Sequence, residues 1–298
     1  MLKVACCWLY AISKYGYPPS VPDTFAALED MARLGFTNVE LEGVRKENLL
    51  TIHSERAKLK SHSERLGLRI INFCPVLPST VSLDGGERKE GLELFEVGVE
   101  CATYFGCETV QLDSFTPPLR FKGESPYKEA IKFARPFQVE IDPAFSWQEQ
   151  WSVLVDTVKR CARMAAHAGL MLTMEPRVGE MVSNTDAMLR LMDHVDDENF
   201  YAVLDTGHQN AQKEILPLSV EKLGSRIKYV HVSDNDSRTN EHLPLGKGTI
   251  DWDGVFLGLA KHNFDGFIAI DIGGVENLDE AYRESVQFLE RLAQRLGL

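Results

Sequence analysis

Four residues of cation-binding type recur through the second half of the chain at intervals of about one structural repeat. Glu175 lies in "LTMEPR", Asp205 in "AVLDTGH", His231 in "YVHVSDN" and Asp271 in "IAIDIGG". They stand 30, 26 and 40 residues apart, and each follows a short apolar run of strand length. Three carboxylates and one neutral imidazole make an oxygen-rich donor set with a single nitrogen. Such a set suits Mn2+, Mg2+ or Co2+ and tolerates Zn2+. Gathered without a cation, the three carboxylates would repel one another. Any one of the four could equally cap a strand or pair with a neighbouring cation. Four at successive equivalent positions point instead to one bound divalent ion. An ion chelated by a substrate carbonyl and its adjacent hydroxyl acidifies the neighbouring C–H, which a carboxylate can then deprotonate. Glu175 is the expected base and Asp271 the opposing acid or base. Return of the proton gives isomerisation or epimerisation, and loss of a β-hydroxyl gives elimination.

The elements that must position these residues alternate regularly. Strand-like runs occur at "LKVACCWL", "NVELEG", "LRIINFCP", "ETVQLDSF", "LMLTMEP", "YAVLDTGH", "RIKYVHVSDN" and "GFIAIDIGG". Between them lie segments of helical period, such as "PDTFAALEDMARLGF" and "SWQEQWSVLVDTVKRCARMAAHAG". Eight strand–helix units and no Gly/Ser-rich linker predict an α/β fold, a single (β/α)8 barrel over residues 1–298. An irregular insert at about 116–146, rich in aromatics, follows the fourth strand and reads as a lid or a subunit contact. No G-x-G-x-x-G or G-x-x-x-x-G-K-[ST] follows a strand, so the nucleotide-binding open sheet lacks its phosphate loop. In a barrel the carboxyl ends of the strands converge on one mouth, which places the four residues together.

Other residues have two readings each. Arg177, after "EP", can hold a substrate oxygen or pair with the adjoining loop. Asp113, ending the fourth strand, can reach substrate or support another side chain. His242 lies on the loop after the seventh strand and can line the pocket or face solvent. Trp8, ending the first strand, can wall a sugar ring or fill the barrel mouth. His53 and His62 fall among Ser, Glu and Lys on one helix and read as a solvated face. Six cysteines with no C-x-x-C pair suit buried thiols better than disulfides. The net charge of −12 opposes nucleic acid or an anionic membrane surface as partner. No signal-peptide pattern opens the chain, so a cytoplasmic location is expected.

"LTMEPR", "AVLDTGH", "KYVHVSDNDSR", "LPLGKGTIDW" and "GFIAID", in this order, resemble the sugar phosphate isomerase/epimerase family. These are xylose-isomerase-like TIM barrels that include ketose 3-epimerases, inosose dehydratases and dehydroshikimate dehydratases. The resemblance implies one divalent metal, Mn2+ foremost, held by Glu175, Asp205, His231 and Asp271. It implies that His208 and Arg238 contact substrate oxygens, and that Asp234 fixes the following loop or orients the site. The implied substrate is a ketose, keto-sugar or related polyol. A homo-oligomer is compatible with the insert read as a subunit contact. Ketose epimerases of the family usually carry glutamate where Asp271 stands, so the second carboxylate here is one methylene shorter. A lyase or dehydratase acting on a 3-keto-sugar, keto-inositol or dehydroshikimate-like substrate is the alternative within the enzyme class. A non-catalytic metal-binding barrel or subunit is the alternative outside it.

Overall fold

A computed structural model of the protein describes residues 2–122 and 138–298. Eight parallel strands close into a barrel: β1 (Lys3–Cys6), β2 (Asn38–Val44), β3 (Arg69–Val76), β4 (Thr109–Gln111), β7 (Met171–Met174), β8 (Phe200–Asp205), β9 (Ile227–Val232) and β10 (Phe267–Ile270). β10 pairs with β1, for example Ile270 beside Cys6, and closes the ring. The strands are short runs of Val, Ile, Leu, Phe and Ala buried on both faces, as parallel strands enclosed by helices must be. A separate antiparallel pair, β5 (Arg120–Phe121) and β6 (Val139–Glu140), joins the two described ends of the insert. Tyr127, Phe133 and Phe137 of the insert lie outside the described residues.

The helices are α1 (Leu9–Tyr15), α2 (Val21–Arg33), α3 (Arg45–Arg65), α4 (Gly85–Phe105), α5 (Trp147–His167), α6 (Thr185–Val195), α7 (Thr206–Ala211), α8 (Leu216–Leu223), α9 (Trp252–Lys261) and α10 (Leu278–Leu296). Local chemistry sets their ends. Ser20 and Asp23 form a reciprocal capping box at the start of α2, while Asp84, Ser146 and Asn184 accept first-turn N–H groups of α4, α5 and α6. All six cysteines are buried and free. Among the described residues no helix is long and apolar enough to cross a membrane.

Two sequence expectations change here. Trp8 does not end a strand; it is the N-cap residue of α1, a helix too short to announce itself by periodicity. Its side chain is 2% exposed and lies outside the cavity lining, where Cys7, Leu9 and Ile12 stand instead. His62 is not solvated either: its ring packs edge-on against Phe25 at 5.1 Å.

Candidate metal centre and active site

The carboxyl ends of β2, β3, β4, β7, β9 and β10 surround one cavity, lined among others by Glu40, Asn72, Gln111, Glu175, His231 and Asp271. His231 sits at its base, 4% exposed. Its Nε2–H donates to Glu40 Oε1 at 3.0 Å. Its other nitrogen, Nδ1, therefore faces Glu175 Oε2 at 3.3 Å and Asp205 Oδ2 at 3.8 Å. Ligand atoms of Glu175, Asp205 and His231 all lie within 4.8 Å of one another, as do those of Cys7, His231 and Asp271.

The charge state of this cluster bears on whether a cation fits. Asp205 Oδ1 accepts the His208 N–H at 2.6 Å, capping α7, but Oδ2 is buried without a hydrogen-bond partner. Burial, reinforced by the like charges of Glu175 and Asp271, holds the Asp205 carboxyl well above its ordinary pKa. Burial alone would lower His231, yet the Glu40 and Glu175 carboxylates outweigh it and hold the imidazole well above its usual value. Without a cation the cluster thus retains protons, between an imidazole nitrogen and carboxylate oxygens. A divalent ion at the same oxygens and nitrogen replaces those protons, and the orphaned Asp205 oxygen gains a partner. The donor set fits such an ion.

Two further imidazoles attend the carboxylates. His208 Nδ1 accepts the Val178 N–H at 3.2 Å, so its proton resides on Nε2, which points to Glu175 Oε1 at 3.8 Å. Burial, above all, lowers its pKa to about 3, so this histidine is a neutral N–H donor. His242 Nδ1–H meets Asp271 Oδ2 at 3.1 Å, and Asn240 Nδ2 donates to His242 Nε2 at 3.1 Å. Gly207 permits this packing, because a Cβ there would collide with Ser233 Oγ and Asn240 Oδ1. Asp234 is turned away from the cavity into the loop it begins. Its carboxylate accepts the N–H groups of Asn235 (3.0 Å), Gly246 (2.9 Å) and Ile250 (3.4 Å) and the Trp252 indole N–H (3.1 Å).

Arg177 lines the cavity and binds Asp113 at 2.6 Å, so the arginine and the acid at the end of the fourth barrel strand act as one charged wall. Arg238 departs from expectation. Its side chain is 85% exposed, pairs with Asp236 at 3.0 Å and does not line the cavity. The loop turns through Ser237 in a left-handed conformation (φ 66°) and delivers Asn240 and His242 to the site in its place.

Glu40 and Glu42 are functional candidates beyond those expected from the sequence. Both lie in β2 and line the cavity, two residues apart. Their signal was present as paired carboxylates inside the run "NVELEG", which has no reason to carry charge unless something in the barrel meets it. Glu40 also accepts from Asn72 Nδ2 at 3.2 Å, and Asn72 in turn bonds Gln111, which reaches Glu175 Oε2 at 3.3 Å. A hydrogen-bonded ladder thus ties β2, β3, β4 and β7 together beneath the cluster. Burial and the nearby Asp113 carboxylate push Glu42 up to about 8, so at neutral pH it stands mostly protonated and can donate to a ligand oxygen.

A carboxylate that orients a metal-binding imidazole typically influences affinity by about 10–100-fold. Glu40→Gln should weaken Mn2+ binding by about that factor, read by competition against a fluorescent chelator. Affinity equal to the parent's would show that Glu40 does not set the His231 ring.

A model of the xylose isomerase-like TIM barrel family matches residues 28–292. Inosose dehydratase of Clostridium beijerinckii is 26% identical over 141 residues, covering 42% of this chain and 47% of that protein. The chain thus spans about half the length of the curated relatives it matches. The crystal structure of 3-keto-D-glucoside 4-epimerase from E. coli superposes with a TM-score of 0.75 at 17% identity, covering 98% of this chain and 100% of that one. D-allulose 3-epimerase from Methylomonas sp., in complex with D-allulose, gives 0.74 at 18% identity over 97% and 96% of the two chains. At these identities the structural likeness is one of fold. The family match runs through seven of the eight barrel strands and every residue of the cation cluster, and the chain belongs to the xylose isomerase-like TIM barrel family.

Proposed function

We propose that this protein is a divalent-cation-dependent isomerase or epimerase of a ketose, keto-sugar or related polyol, working by proton transfer at the carbon beside a carbonyl. The observation that carries the reading is the pairing of each prospective acid–base carboxylate with its own imidazole in one cavity. Glu175 has His208 at 3.8 Å and Asp271 has His242 at 3.1 Å. Glu175, Asp205, His231 and Asp271 would hold the ion, with Mn2+ the best match to three carboxylates and one imidazole. When bound, that ion supplies positive charge to polarise a substrate carbonyl and acidify the adjacent C–H.

The chain's own groups supply the proton traffic. Glu175 takes the proton from carbon, kept ionised by the net pull of His231 against its burial. His208, neutral with its proton on Nε2, donates to a substrate oxygen beside Glu175. Asp271, oriented by His242, carries a proton from solvent to the other side of that carbon, and Glu175 releases to solvent the one it took. Glu42 and the Arg177–Asp113 wall offer one donor and one charged pair to hydroxyls further out. Elimination is the second reading, favoured by the inosose dehydratases among the relatives. There Asp271 would protonate a departing hydroxyl rather than carbon. The D-allulose held by the Methylomonas relative supports a small sugar as the substrate class.

Incubation of the Mn2+-loaded protein with ketoses and keto-polyols in deuterated water tests this. Deuterium should enter the carbon beside the carbonyl in product or recovered substrate, or that carbon should lose its hydrogen in an unsaturated product. Turnover that leaves that C–H bond intact would overturn the mechanism.

A further inference from the structure

The cavity that holds the cation cluster is not the whole cleft. It encloses about 80 Å³, and a second chamber of about 270 Å³ adjoins it, sharing Tyr17, Val76, Asp113 and Arg177 as a common wall. The two differ in chemistry. The inner chamber presents carboxylates, imidazoles and amides, which suit hydroxyls and a carbonyl. The outer chamber adds Val44, Pro78, Phe115 and Thr116, together with the exposed Arg45 and with Glu180, whose Oε2 accepts from Ser114 Oγ and from the Phe115 N–H. Beyond the shared Arg177–Asp113 pair, substrate hydroxyls would gain little there, since apolar walls do not replace their hydrogen bonds to water.

The outer wall is built and held. Phe115 has φ 57°, a left-handed backbone that bulky side chains rarely adopt. Glu180 Oε2 accepts its N–H at 3.0 Å, and Met181 N–H donates to its carbonyl at 2.9 Å. Arg45, on the facing side, also has positive φ, at 55°. Non-glycine residues in such conformations persist where surrounding structure fixes them, and they cluster at ligand sites.

We infer that the substrate is a keto-sugar bearing an O-linked apolar group, an aryl or alkyl aglycone, whose sugar ring occupies the inner chamber and whose substituent fills the outer one. This rests on the reading of the inner cavity as a keto-sugar site. The shared wall argues for the occupant: a group there lies against the same Tyr17, Val76, Asp113 and Arg177 as whatever the inner chamber holds, and is best supplied as an attachment to it. Tyr17 and Phe115 give the substituent aromatic neighbours, and Val44, Val76 and Pro78 give it aliphatic ones.

The test compares the phenyl and methyl glycosides of one 3-keto-hexose on Mn2+-loaded protein, by calorimetric binding and by hydrogen exchange in deuterated water. The phenyl compound should bind about tenfold more tightly, the return on burying its added apolar surface. Thr116→Trp, at a half-buried wall position, should reduce that preference by filling the chamber. Equal affinity of the two glycosides, no binding of either, or a preference undiminished in Thr116→Trp would overturn the inference, whatever the exchange result. A phenyl preference lost in Thr116→Trp, with no hydrogen exchange from any ligand, would support the chamber and sink the proton-transfer reading instead.

Discussion

Glu175→Gln lowers solvent hydrogen exchange into substrate by a factor of about 10² or more, the usual contribution of a positioned general base. The substitution is nearly isosteric, and the glutamine can still accept from Gln111 Nε2 through its carbonyl oxygen. What it removes is the charge and the basic lone pair. Glu175 also belongs to the cation cluster, so the amide weakens metal binding as well as basicity. Assays at Mn2+ concentrations shown by elemental analysis to give full occupancy separate the two effects. A loss below about fivefold at full occupancy would remove Glu175 from the role of base. The proton would then have to leave through Asp271, whose oxygen lies 3.1 Å from His242.

Binding of Mn2+ at a hundredfold excess over its Kd stabilises the folded chain by about 2.7 kcal/mol. For a domain of this size that corresponds to a rise in Tm of about 4 °C. Asp205→Asn should abolish most of this shift, because it replaces an anionic ligand whose Oδ2 has no other partner. The metal-free variant should behave in the opposite sense. Burial and the neighbouring carboxylates raise the folded-state pKa of Asp205, so the folded chain binds that proton more tightly than the unfolded chain does. Stability from this group is fully present below the unfolded carboxyl value and is lost as pH rises toward the folded one. The chelator-treated Asp205→Asn protein should therefore melt above the chelator-treated parent at pH 8, with the gap narrowing toward pH 4. Calorimetry over that range checks both signs. Equal metal shifts in parent and variant would remove Asp205 from the site.

Much of this was legible in the chain. All eight barrel strands announce themselves, because each is a short apolar run between polar helices of 3.6 period, and their order follows from the closure of parallel neighbours. The convergence of Glu175, Asp205, His231 and Asp271 on neighbouring strands follows from that topology. Short elements were not legible. α1 and α7 have too few turns for periodicity, and α7 exists because Asp205 caps it. The charge of Glu40 stood in plain view within "NVELEG", but its partner did not: His231 lies 191 residues away, and no local pattern reports a contact of that span. Arg238 misled for the converse reason: its motif position was read without the turn at Ser237, which sends the side chain to Asp236 and solvent. Loop orientation depends on a single backbone conformation that composition does not encode.

The barrel divides its labour along the chain. The prospective cation ligands all come from β7, β8, β9 and β10, a contiguous stretch, whereas β1 to β4 contribute Cys7, Glu42, Cys74, Asp113 and the props Glu40, Asn72 and Gln111. The reactive groups are therefore inherited from the second half of the gene, and much of the facing wall from the first. Exchanges at the ends of the first four strands can retune which molecule is accepted while the reactive half stays intact, provided that the three props survive. Diversification within such a scaffold can then proceed one half at a time, as recombination at the midpoint of the barrel would allow.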